Sequence, residues 1–376
     1  MTKKTHFYDW HKERARMTEF AGYDMPVWYT RVEKEHMTVR KNVGVFDVTH
    51  MGRFIVSGPE ATKFLDYMVS RDLKKAYSGQ ALYSVLLNAH GGIIDDLIVY
   101  KKSETDYFVV VNASNKEKDF NWFKSHIKDF DAEIKDISDN TPMLAIQGPK
   151  TADLFRKIIG NKVDEIPKFN FAEVDDFLGT RVIMARTGYT GEDGFEVSFL
   201  NIPMSDSSKA IEILEKLLEL GKDLGIAPCG LGARDSLRLE AGMVLYGNDM
   251  DENTTPLEAR IKYALDLDKE NFIGQEALKK QLEEGIKRIR IGFIMEEKGI
   301  PRHHQEIFTE SKEKIGTVSS GGYSPLIKNG IGMGYVPTEH KKDDFVLINI
   351  RGRFKKAKVV SPRRMLRELK KMSGEL

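Results

Sequence analysis

One local pattern occurs twice in this chain and restricts what it can fold into. Residues 54–57 read as a strand, Gly58-Pro59 turns the chain, and residues 60–69 read as a helix with Phe64, Leu65 and Met68 on one face. The same order returns at residues 143–147, Gly148-Pro149 and residues 150–159, with the two glycines 90 positions apart. Each copy continues into a hairpin-like stretch. The first covers residues 81–111 with Gly91-Gly92 at its turn, and the second covers residues 180–199 with Gly188, Gly191 and Gly194 in its turn. A further helical stretch closes each copy, at residues 117–127 and 207–220. The recurrence predicts two related αβ units, each a small antiparallel sheet with helices on one face. From residue 286 the texture changes to short alternating runs between Gly and Pro turns, at residues 288–295, 314–319, 330–336, 344–350 and 355–360. These predict a C-terminal all-β module, a barrel or jelly roll. Residues 277–284 read as the helix leading into it, and residues 363–371 as a basic terminal helix. The predicted class is α+β.

Composition removes several functions. The 376 residues carry 58 Lys+Arg against 57 Asp+Glu, a net charge of +1, which argues against a protein that coats nucleic acid or an acidic membrane. A single cysteine, Cys229, forms no internal disulfide and no Cys-based zinc site, and suits a reducing cytosol. No apolar run approaches the ~18 residues that span a bilayer, and the first residues lack the apolar region of a signal peptide. The expectation is a cytoplasmic protein without nucleic-acid or membrane partner and without a metal. Gly330-Ile331-Gly332-Met333-Gly334 lies among β runs with no following helix, which speaks against a dinucleotide loop. His303-His304 lacks further ligands at metal spacing.

Four segments carry more than folding requires. In residues 91–99, Asp95 and Asp96 head an apolar strand. Alternation sends them to opposite faces, so one points into the protein body. Burying a carboxylate costs several kcal/mol unless it is paired or used; a turn-stabilising acid pair is the plainer reading. In residues 186–197, three glycines precede Glu196, an acid between Phe195 and Val197 where a strand rarely has one. A buried carboxylate there suits a planar heterocycle with adjacent N–H donors, such as an aminopyrimidine. A hairpin with an outward Glu is the alternative. In residues 230–242, Arg234 stands near a helix start, where a cation opposes the dipole. It needs a ligand or a buried carboxylate, unless it joins an i,i+4 network with Arg238. The polar loop at residues 246–258 does not meet the EF-hand pattern.

These segments, in this order, resemble the aminomethyltransferase (T-protein) family of the glycine cleavage system. So do residues 20–27, Phe46-Asp47-Val48-Thr49-His50-Met51-Gly52, residues 319–325 and residues 332–336. The resemblance runs from about residue 7 to about residue 360. It implies three domains in a clover leaf around a central channel: residues 1–52 with 138–276 as a first αβ domain holding the folate, residues 53–137 as a second, and residues 286–376 as the barrel. It also implies transfer of a methylene carbon from the aminomethylated lipoyl arm of the H-protein to tetrahydrofolate, with release of ammonia. The family's catalytic aspartate falls on Asp96, its pterin-binding glutamate on Glu196 and its arginine on Arg234. Channel positions fall on Tyr83, Tyr189, Met51 and Asn112. With an ordinary pKa near ~3.9, Asp96 is expected as a carboxylate, steadying the cationic one-carbon centre rather than donating a proton. The family's C-terminal aromatic beside folate is missing from residues 360–364, so Arg351 or Arg353 is expected to meet the glutamyl tail. Two other activities share the fold. One is a folate-dependent demethylase acting on another one-carbon donor. The other is a non-catalytic folate-binding iron–sulfur assembly factor, whose cysteine motif the surroundings of Cys229 do not match.

Overall fold

The computed structural model describes residues 2–340 and 345–375. Asp344, expected to open a strand, lies outside them. The chain divides into two compact units, one formed by Met1–Val85 with Asp95–Arg234 and the other by Leu86–Ile94 with Asp235–Leu376.

The first unit is built on the repeated pattern. In one copy, strand Met143–Gln147 is followed by helix Thr151–Ile159, strands Phe171–Val174, Val182–Ala185 and Gly194–Phe199, helix Ser207–Leu220 and strand Ile226–Pro228. In the other, strand Gly52–Ser57 is followed by helix Ala61–Met68, strands Ala81–Leu87, Ile93–Lys101 and Asp106–Val111, helix Lys116–His126 and strand Glu133–Asp136. The strands take the same order across both sheets, except that Val43–Asp47 is inserted between Met143–Gln147 and Ile226–Pro228. The inserted strand was not read from the sequence. It is buried along its whole length, so it shows no alternation. Both sheets are antiparallel apart from Ile226–Pro228, which returns after a helix and runs parallel to the inserted strand. Gly58 (φ +127°) and Gly148 (φ +135°) share a backbone conformation closed to other residues. A Cβ on either would strike backbone, of Asp131 in one case and Asn42 in the other. The repeat therefore extends to the geometry of its turns.

Burial of one face fixes the six-stranded sheet. Phe195, Val197 and Phe199 alternate inward with Leu144, Ile146, Val182 and Met184. Against them lies the stripe Ala210, Ile213, Leu214 and Leu217 of helix Ser207–Leu220, at helical spacing. Glu196 is consequently on the opposite face, where its cross-strand neighbours are the small residues Ala145 and Ala185.

In the second unit, six strands close into a barrel: Arg288–Met295, Asn329–Pro337, Lys314–Ser324, Glu306–Phe308, Phe345–Ile350 and Arg353–Val360. Its interior is filled by alternating residues such as Ile291, Phe293 and Met295 with Val346, Ile348 and Val359. Helix Gln275–Glu284 precedes it and helix Met365–Ser373 follows it. The buried guanidinium of Arg290 donates to the carbonyls of Ala259 (2.9 Å) and Gly242 (3.0 Å), fastening the barrel to the segment before it.

Candidate active site

Strand Ile93–Lys101 carries its two acids on opposite faces. Asp95 shares the buried face with Leu97 and Val99 and is 0% exposed, whereas Asp96 faces the other side with Ile98 and is half-buried. The acid driven fully inward is therefore Asp95, and Asp96 is the one left within reach. Register explains what surrounds it. Val111 pairs with both Leu97 and Gly52, so one step further along the sheet end Asp96, Asn112 and Met51 stand side by side. The Tyr83 hydroxyl donates to Asp96 Oδ2 at 3.0 Å. Asn112 Nδ2 donates to Asp96 Oδ1 at 2.7 Å and to Asp95 Oδ1 at 2.9 Å. Asp95 also accepts from the Asn112 backbone N–H (3.1 Å) and from Asn115 Nδ2 (2.6 Å). Burial, and after it the neighbouring Asp95 charge, push Asp96 up to about 7 in spite of the Tyr83 and Asn112 hydrogen bonds. This corrects the expectation of an ordinary carboxylate: near neutrality Asp96 holds both its protonated and its charged form.

The second cluster gathers around Glu196. Its carboxylate accepts from Thr187 Oγ1 at 2.6 Å through Oε2, and Oε1 accepts from no group among the described residues. The Arg234 guanidinium lies over the Tyr189 ring, 4.8 Å from its centroid. Burial lowers its pKa, while the charge of Glu196 opposes that. Nη1 of Arg234 is buried and unpartnered. Arg238 does not form the alternative network with it, because it is bound by Asp235, Asp249 and Ser320. A free carboxylate oxygen, a spare guanidinium N–H and a patch of alanines suit a flat polar heterocycle with N–H donors beside a carbonyl.

Sequence reading missed His50, the residue before Met51. His50 is 3% exposed and its Nδ1 is unpartnered. The rings of Phe20 (5.6 Å) and Tyr23 (6.4 Å) pack against it. Burial, with further contributions from Arg234 and Arg53, brings it down to about 4 against the pull of Asp47, so it is neutral. The motif holding His50 was visible, but one histidine offers no spacing to interpret. Asn115, Asp119 and Thr187 were missed too, since each is an ordinary polar residue until its surroundings are known. Beneath this region, Asp47 accepts from Thr5 Oγ1 (2.6 Å) and from the Thr49 N–H (2.8 Å), and His11 Nε2 lies 3.0 Å away. His11 Nδ1 meets the Tyr29 hydroxyl at 2.8 Å. Burial alone would raise Asp47, but these partners hold it at about 2.

Arg351 and Arg353 lie at the exposed turn between the last two barrel strands. Among the described residues no group of three or more His, Cys, Asp or Glu side chains could hold a metal ion. Among the described residues no helix is long and apolar enough to cross a membrane.

Comparison with known proteins assigns this architecture. Residues 7–269 match the GCVT N-terminal domain, and residues 288–364 match the glycine cleavage T-protein C-terminal barrel domain. The aminomethyltransferase of Thermosipho melanesiensis is 44% identical over 95% of this chain and 96% of its own length. That of Bacteroides fragilis is 45% identical over 93% and 95%. The crystal structure of glycine cleavage system aminomethyltransferase T from Bartonella henselae superposes with a TM-score of 0.87 at 33% identity, covering 96% of this chain and 98% of that one. Matched along both parts of its length in sequence and in fold, the chain belongs to the glycine cleavage T-protein family of aminomethyltransferases.

Proposed function

We propose that this enzyme moves the one-carbon unit of an aminomethyl group, carried on the lipoyl arm of the H-protein, to tetrahydrofolate, releasing ammonia and forming 5,10-methylenetetrahydrofolate. In this reading Glu196 and Arg234 receive the pterin, Tyr83, Tyr189, Met51 and Asn112 line its path, and Asp96 stands beside the reacting nitrogen. Reduced folate supplies the nucleophilic amines, and the chain supplies position and charge. Glu196 Oε1 takes the N–H edge of the aminopyrimidine, and the unpartnered Nη1 of Arg234 donates to its carbonyl.

The observation that carries the reading is Asp96 itself, fixed by Tyr83 and Asn112 and raised to about 7. As a carboxylate ~4 Å from a cationic one-carbon centre it contributes on the order of 4 kcal/mol at an effective dielectric near 20. Because its pKa lies near neutrality it also exchanges a proton with the departing nitrogen, a service typically worth ~10²–10⁴-fold. Ammonia release and methylene transfer from aminomethylated H-protein, measured for wild type and Asp96→Asn, test this. The variant should lose at least ~100-fold in kcat while binding folate normally. Turnover of methylated donors with none from aminomethylated H-protein would instead indicate a demethylase.

A further inference from the structure

A third carboxyl group stands behind Asp96. Asp119 lies in the first turn of helix Lys116–His126, 0% exposed. One turn on, Phe123 packs its ring against Phe54 and Phe64, so the helix cannot rotate Asp119 outward. Neither Asp119 oxygen meets an N–H or O–H donor among the described residues. Asn115, one turn earlier at the start of the same helix, donates to Asp95 at 2.6 Å, which sets Asp119 toward the Asp95 carboxyl group. Two neighbouring buried carboxyl groups do not both carry a charge, so one of them holds a proton. The donors decide who keeps it. Asp95 accepts three N–H groups, two from Asn112 and one from Asn115, and Asp119 accepts none. The helix N-terminus favours charge on Asp119 only weakly, whereas each hydrogen bond to a charged group is worth more than that dipole effect. Asp95 is the anion.

We propose that Asp119 is a permanently protonated acid that donates its O–H to Asp95 and thereby acts as a positioning residue for Asp96. The inference rests on the reading of Asp96 as the reacting acid. With Asp119 donating, Asp95 stays negative, grips the Asn112 amide, and keeps its charge next to Asp96. That charge is the second cause, after burial, of the raised Asp96 pKa. Asp119 itself is pushed up to about 11, first by burial and then by Asp95, with Asp96 adding to the rise and Lys118 on its own helix opposing it.

The test uses the full chain labelled with carboxyl-¹³C aspartate. At pH 7 one protonated carboxyl signal, insensitive to pH well into the alkaline range, should be present in wild type and missing from Asp119→Asn. The Asn amide donates an N–H where the acid donated an O–H, so Asp119→Asn should keep the acid-side midpoint of the kcat/KM profile where wild type has it. Asp119→Leu fills the space without donating; with one donor fewer Asp95 holds its charge less firmly, its repulsion of Asp96 weakens, and the midpoint should fall by about one unit. If no such signal exists, or if Asp119→Asn lowers the midpoint as far as Asp119→Leu does, the proposal is overturned. Should the Leu variant not fold, the spectrum and midpoint of Asp119→Asn decide alone. A fully active Asp96→Asn enzyme that still shows the Asp119 signal would remove the catalytic reading and leave the protonation of Asp119 standing.

Discussion

Asn112 holds Asp96 twice, its side-chain amide donating to the Asp96 carbonyl at 3.0 Å and to the Asp96 carboxyl group at 2.7 Å. Backbone and side chain of the acid are thus set by one residue of the neighbouring strand end. Asn112→Ala should lower kcat/KM by roughly 10–100-fold, the equivalent of a hydrogen bond to a charged group. The acid-side midpoint should also move up, because a donor that favours the charged form has gone. Steady-state kinetics across pH checks both; an unchanged midpoint would separate Asn112 from the ionisation of Asp96.

Activity should follow the charge of Asp96. With Asp96 at about 7, kcat/KM should rise through neutrality and level off in mild alkali. Tyr83→Phe, which removes the other donor to the acid, should displace that rise toward higher pH. A profile flat across neutrality would mean that the ionisation of Asp96 is not felt in turnover.

The same shift carries a stability cost. The folded pKa of Asp96 is raised above its unfolded value. Its penalty is therefore absent below about pH 4, grows as pH rises, and is complete above about 7. Asp96→Asn should then be more stable than wild type at pH 8 by on the order of 2–4 kcal/mol, with the gain vanishing in acid. Denaturant unfolding at the two pH values measures it.

Folate binding should depend on the second cluster. Glu196→Gln removes the charge but keeps an acceptor for Thr187, and should weaken folate about 10–100-fold. Arg234→Met should weaken folate similarly while leaving the unliganded protein no less stable, since it removes a half-buried cation whose buried Nη1 has no partner. Calorimetric titration with folate, beside thermal unfolding, distinguishes the two effects. Unchanged affinity in both variants would move the pterin elsewhere.

His50 predicts a loss of stability in mild acid. Its folded pKa is about 4 against an ordinary 6.5, so the stability it confers is full above about 6.5 and is lost as pH falls toward 4. The total is about 3 kcal/mol, and the lowered pKa of buried His6 adds in the same direction. His50→Gln should flatten this part of the pH–stability curve; an equally steep curve would assign the loss to other groups.

The duplicated strand, turn and helix were legible in the sequence because alternation and helical spacing are local. Met143–Gln147 and Ser207–Leu220 have the bounds the pattern predicts. Glu196 was legible for a related reason: an acid between Phe195 and Val197 contradicts its surroundings. The inserted strand Val43–Asp47 was not, since burial on both faces erases the period that would reveal it. The ionisation of Asp96 was hidden as well. It depends on Asp95, whose own charge is set by Asn112, Asn115 and Asp119, and those residues meet only once strand and helix have packed.

The buried pair of His11 and Asp47 has a practical consequence for anyone handling this enzyme. A clone starting beyond residue 12, or a tag that pulls the short helix Tyr8–Lys12 away, would strand a desolvated anion three positions ahead of His50. Losing a hydrogen bond to a charged group costs ~1.5–3 kcal/mol, a sizeable part of the ~5–15 kcal/mol that typically keeps a protein folded. Any affinity handle at the front of the chain needs a spacer long enough for those first turns to dock undisturbed.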